Sequence, residues 1–157
     1  MENKSILYLE YETKKVYFLY QYDSDLILKD QLNLENITYI KMYNTTIKYS
    51  MLSYFKSLLY GNSKNIIILT LRDRLDMFDL HNFLKNLIDI SNRVFVIKLF
   101  HKHEDSDSLL GDIDYVSGLM YDAKKYIDSS KLTIFTTSST FLNEKQLNFV
   151  KNTIDTL

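Results

Sequence analysis

The stretch Asn65-Ile66-Ile67-Ile68-Leu69-Thr70-Leu71 is a short, almost unbroken run of branched apolar residues. Such a run reads as a central strand buried on both faces, as in a parallel sheet. Past it, Asp76 stands where a helix N-cap belongs, and Leu75 and Leu80 have the spacing of a hydrophobic staple. Leu80, Phe83, Leu84, Leu87 and Ile88 then recur at helical spacing, and Asn92 is placed to serve at the C-terminus of that helix.

The same strand-then-helix theme fills residues 37–157 as four β-α units. Ile37–Tyr43 alternates as a strand, Asn44 is a candidate N-cap, and Ile47, Met51, Tyr54, Phe55 and Leu58 follow at helical steps, with Gly61 placed to stop the helix. Val94–Phe100 is a second buried strand. The longest helical stripe follows it: Leu109, Ile113, Val116, Met120, Ala123 and Ile127. Leu132–Thr137 is the last strand. Asn143 caps the last helix, with Leu142 and Leu147 at staple spacing and Val150 and Ile154 on its inner face. Alternating strands and helices imply right-handed crossovers and a sheet covered by helices.

Residues 1–32 read differently. Ser5–Glu12 and Val16–Tyr22 are two runs rich in aliphatic and Tyr residues, separated by Thr13-Lys14-Lys15, the pattern of a β-hairpin, and Asp25–Lys29 is a candidate third short strand. The expected fold is therefore one α/β domain over residues 1–157. Its sheet is mixed and mainly parallel, flanked by about four helices, and an N-terminal antiparallel hairpin extends one edge.

Composition narrows the function. The 157 residues are 46% hydrophobic and 25% charged, as expected of a globular chain. There is no Cys, which removes disulfides, zinc–thiolate sites and thiol chemistry. No apolar run is long enough to span a membrane, and no signal-peptide pattern follows Met1, so the expected location is the cytoplasm. The net charge of −1 is spread over both halves and offers no basic surface for nucleic acid. One Ala, three Gly, three Arg and no Pro point to an AT-rich genome. No Walker loop, dinucleotide Gly motif, Gly-x-Ser-x-Gly elbow or His-Glu-x-x-His is present, which lowers an enzymatic reading.

In open α/β sheets ligands sit beyond the carboxyl ends of the strands. Four polar loops qualify, each leading into a helix N-terminus that favours anions: Asn44–Thr46, Arg72–Arg74, His101–Asp105 and Thr136–Thr140. Arg72 and Arg74, around Asp73, are two of the three arginines and could clamp a phosphate or carboxylate. Thr137, Ser138 and Ser139 could add hydroxyls and backbone N–H groups. His101 and His103 could hold a divalent metal, although a solvated helix-capping loop accounts for them as well. Tyr17 and Tyr20 of the hairpin are candidates for a protein interface.

The order of elements resembles the anti-sigma-factor-antagonist (STAS) class, in which an N-terminal hairpin precedes alternating helices and strands. That class carries a regulatory phosphorylation serine at the start of the helix after a central strand. The matching region here is Leu71-Arg72-Asp73-Arg74-Leu75-Asp76-Met77-Phe78-Asp79-Leu80, with Asp76 and Asp79 but no Ser. The resemblance is one of topology only, over the middle of the chain.

Two functions follow as expectations. The first is a non-catalytic protein-interaction or regulatory module, self-associating as a homodimer or bound to a protein partner, without a cofactor. The alternative is a domain that binds a small anion or nucleotide at the strand ends, extending to phosphate-ester hydrolysis.

Overall fold

The computed structural model describes residues 4–12, 30–35, 37–43, 49–59, 64–71, 75–99, 106–127, 129–137 and 142–157. Five strands form one sheet: β1 (Lys4–Glu12), β2 (Ile37–Tyr43), β3 (Lys64–Leu71), β4 (Arg93–Leu99) and β5 (Leu132–Thr137). Four helices follow the last four strands: α1 (Tyr49–Leu58), α2 (Met77–Asp89), α3 (Ser106–Tyr126) and α4 (Glu144–Thr156). The strand order is β2-β1-β3-β4-β5, and each of the four pairings is parallel.

This order corrects the hairpin. β1 is not at an edge: Ile6 to Glu12 pair in parallel with Ile37 to Tyr43, and Lys4 to Tyr11 pair in parallel with Lys64 to Leu71. A strand with neighbours on both sides has no side left for an antiparallel partner. The physical signal lay in Ile6-Leu7-Tyr8-Leu9, which is buried on both faces like the β3 run. The feature on which the STAS resemblance leaned is thus missing around β1. Residues 16–22 and 25–29 lie outside the described residues, and among the described strands every pairing is parallel.

Helices cover both faces. On one, Leu7, Leu9, Ile67, Leu69, Val94 and Val96 pack against α1, α2 and α3. On the other, Ile6, Tyr8, Ile66, Ile68, Phe95 and Ile97 meet Leu32 and the inner side of α4. Residues 30–32 are helical and end at Asn33, whose φ of 45° places it in the left-handed region that Asn tolerates. The Gln31 side-chain amide then binds the main chain of Leu142 reciprocally, donating at 2.7 Å and accepting at 2.9 Å. This joins the segment before β2 to the start of α4.

The Asp76 and Asn143 caps form as read, while Asn44 and Gly61 lie outside the described residues. Asp76 accepts from the N–H groups of Phe78 and Asp79, and the Leu80, Phe83, Leu84, Leu87, Ile88 stripe is buried. Asn143 and Gln146 make a reciprocal capping box, with Val150 and Ile154 buried behind it. Two details differ. Asn92 does not close α2: its side-chain carbonyl accepts from the Asn65 N–H at 2.8 Å and its own N–H donates to the Asn65 carbonyl at 2.7 Å. It therefore aligns the amino ends of β3 and β4. On α3, Val116, Leu119, Ala123 and Ile127 are buried, while Ile113 and Met120 are exposed. The buried line is rotated from the expected one, with Leu119 in it and Ile113 and Met120 out of it.

Candidate functional site

The strand order reverses between β1 and β3. From β1 the chain crosses to β2 on one side, then returns to β3 and continues to β4 and β5 on the other. A crevice opens beyond the carboxyl ends of strands at such a reversal. The polar loops read from the sequence follow from this order. Residues 72–74 come after β3, 100–105 after β4 and 138–141 after β5, three strands in succession. Arg72, Asp73, Arg74, His101, His103, Ser138 and Ser139 lie outside the described residues, as do Tyr17 and Tyr20. Thr137 is described: it ends β5 and is buried.

The described residues add groups that the loop-by-loop reading missed. Among the described residues the sheet buries few polar side chains: Ser5 near the amino end of β1, and four toward the carboxyl ends of β1, β3, β4 and β5. Glu10 is 0% exposed near the end of β1, Thr70 is buried one residue from the end of β3, Lys98 is 1% exposed one residue from the end of β4, and Thr137 closes β5. Glu10 and Thr70 are register partners, and Lys98 stands opposite Leu71 on one side and Thr136 on the other. A buried carboxyl or ammonium costs several kcal/mol of desolvation, ~3 or more, so such groups are kept for a partner or a use.

Their surroundings are specific. Tyr39 on β2 donates its hydroxyl to a Glu10 carboxyl oxygen, and its ring stacks on Tyr8 with centroids 5.6 Å apart. Thr70 donates its hydroxyl to the Tyr8 hydroxyl oxygen at 2.9 Å. Four side chains from three adjacent strands thus form one cluster beneath the reversal, on the face that carries α4. Lys98 belongs to the opposite face by alternation, but its Nζ donates to the Leu99 carbonyl at 2.7 Å, which holds the amine at the strand end. Gln146 from the first turn of α4 donates to the Thr136 carbonyl at 3.1 Å and fixes β5 against that helix.

A sequence signal for these residues existed. Ile6-Leu7-Tyr8-Leu9-Glu10-Tyr11, Ile66-Ile67-Ile68-Leu69-Thr70-Leu71 and Val94-Phe95-Val96-Ile97-Lys98-Leu99 share one pattern: four apolar residues, one polar, one apolar. In this register Glu10 and Thr70 lie side by side, while Lys98 stands one residue further on, opposite Leu71, and on the other face. Among the described residues no group of three His, Asp or Glu could hold a metal ion. No helix among them is long and apolar enough to cross a membrane.

No protein-family model, curated protein or solved structure matches the chain.

Proposed function

We propose that the chain is a non-catalytic regulatory module whose input is a small phosphate-bearing anion, taken up at the carboxyl ends of β1, β3 and β4. The observation that carries this reading is the buried polar set Glu10, Thr70 and Lys98 toward the carboxyl ends of β1, β3 and β4. Lys98 supplies a cation at the strand ends. Arg72 and Arg74, which follow β3 in the chain, add guanidinium groups suited to bidentate recognition of phosphate. Binding rather than turnover is favoured because the visible polar groups serve one another: Tyr39 holds Glu10, Thr70 holds Tyr8, and Lys98 holds a main-chain carbonyl. Such a set suits holding a shape that a ligand can shift.

The test is thermal unfolding of the full chain with inorganic phosphate, nucleotides and sugar phosphates. A ligand at ten times its Kd adds ~1.4 kcal/mol. In a domain of this length that raises Tm by ~3–6 °C. The rise should vanish in Lys98→Met and in Arg72→Ala. No rise with any phosphate-bearing compound, or a rise that survives both substitutions, refutes the site.

A further inference from the structure

We infer that β5 is the contact between two copies of this chain, paired edge to edge about a two-fold axis. β5 closes one side of the sheet: β4 is its neighbour on the inner side, and no described residue pairs with its outer side. Natural edge strands guard against pairing with Lys, Pro, bulges or charged side chains turned inward. Leu132-Thr133-Ile134-Phe135-Thr136-Thr137 has none of these residues: it is uncharged, β-branched or aromatic nearly throughout, and free of Gly and Pro. The other edge strand differs, since β2 carries Lys41 within its length.

Each flank of β5 carries exposed apolar side chains. On the α3 side a groove of ≈ 170 Å³ runs between helix and strand, lined by Met120, Ala123, Lys124, Leu132 and Ile134. Met120 is 46% exposed there, and Ile113 stands about two turns along the same flank. On the α4 side Phe149 is 44% exposed and meets Phe135 edge-on at 5.9 Å. An unguarded strand between two apolar shoulders is a surface for a partner strand that brings shoulders of its own.

The charge pattern selects a second copy as that partner. In a two-fold contact, residues near the axis meet their own counterparts, so any charge there would face a like charge. β5 brings no charge to the axis, whereas pairing through β2 would bring two Lys41 residues close together. Antiparallel pairing of two β5 strands sets α3 beside the partner's α3 and α4 beside the partner's α4, so apolar flanks meet apolar flanks. Lys124, at the rim of the groove, can lay its aliphatic stem over the contact and keep its amine in water. With a net charge of −1, two copies repel each other little.

Sedimentation equilibrium of the full chain tests this, at concentrations up to about 100 μM, where a contact of ordinary size is populated. The expected mass is twice 18.7 kDa. Met120→Lys and Phe149→Lys should each weaken the dimer by about tenfold or more. Tyr54→Lys, an equally exposed change on α1, should leave it unaltered. A monomer at the highest concentration, or a dimer indifferent to both β5-flank changes, overturns the proposal. Hydrogen exchange on the unmodified chain decides if the variants fail to fold. Amides of β5 should gain protection as concentration rises. Protection of β5 that ignores concentration, as a covering segment of the same chain would give, also overturns it.

Discussion

Thr70 and Tyr8 are both fully buried, and the one visible bond between them is a single hydroxyl pair at 2.9 Å. Thr70→Val keeps the shape and removes the donor, leaving the Tyr8 hydroxyl short of one partner in a place water does not reach. A buried polar group stripped in this way costs ~1–3 kcal/mol. Tyr8→Phe leaves the Thr70 hydroxyl in the same position and carries a similar cost. The double variant removes both ends of the bond, so its cost should fall below the sum of the singles by about 1 kcal/mol, within the ~0.5–3 kcal/mol seen for groups in contact. Urea unfolding of the four proteins measures this, provided the slope with denaturant stays constant. Tyr39→Phe belongs to the same series. It withdraws the donor from a fully buried carboxyl group, where hydrogen bonds are worth ~1.5–3 kcal/mol when the group is ionised. Singles that add to within ~0.3 kcal/mol would show that the Thr70–Tyr8 bond does not form in solution. The cluster at the strand reversal would then have no structural basis.

Two further outcomes concern the helices. Asp76→Ala removes bonds to the Phe78 and Asp79 N–H groups, and Asn143→Ala dismantles the capping box with Gln146; each should lower stability by ~1 kcal/mol, read from urea midpoints, and a loss under ~0.3 kcal/mol would refute the cap. Gly118→Ala on α3 should raise stability by ~0.5–1 kcal/mol, because the added methyl meets only the Met77 methyl at 3.7 Å, an ordinary contact; a lower Tm would mean that α2 and α3 pack closer than described.

Much of this architecture was legible before any coordinates. The β3 run, the Asp76 cap with its staple and the α2 stripe were each specified by several agreeing local signals, and each forms in place. The hairpin failed for a definable reason. Tyr is at home on a half-buried strand, so the Tyr-rich start read as an edge, while Ile6-Leu7-Tyr8-Leu9 already had the unbroken character of an interior strand. The α3 stripe failed differently. Its apolar residues cover more than one face, and periodicity alone does not say which line a neighbouring edge strand will cover. Glu10, Thr70 and Lys98 went unread because a single polar residue in a strand looks like noise until strand order pairs Glu10 with Thr70 and sets Lys98 one residue further on, on the other face.

Beside the main-chain ladders, the side-chain bonds between β1 and its two neighbours differ from those that join β3, β4 and β5 at their amino ends, and the difference bears on what each end can do. At the amino ends, the Asn65 main chain bonds both the side chain and the N–H of Asn92. Arg93 there reaches the Ser130 carbonyl at 2.7 Å and the Thr133 hydroxyl, with its guanidinium 5.5 Å from the Phe95 ring centre. Bonds to the main chain are lost only by moving a strand, which leaves peptide groups unsatisfied. At the reversal, side-chain pairs stand beside the main-chain ladders: Tyr39 with Glu10 between β2 and β1, and Thr70 with Tyr8 between β3 and β1. A ligand that offers its own donor or acceptor can replace such a bond at little net cost, since one buried hydrogen bond is exchanged for another. The amino end therefore anchors the sheet, and the carboxyl end of β1 and β3 is where a small molecule can change side-chain positions without unpairing strands. A change there reaches β2 through Tyr39, whose hydroxyl and ring both report on Glu10 and Tyr8.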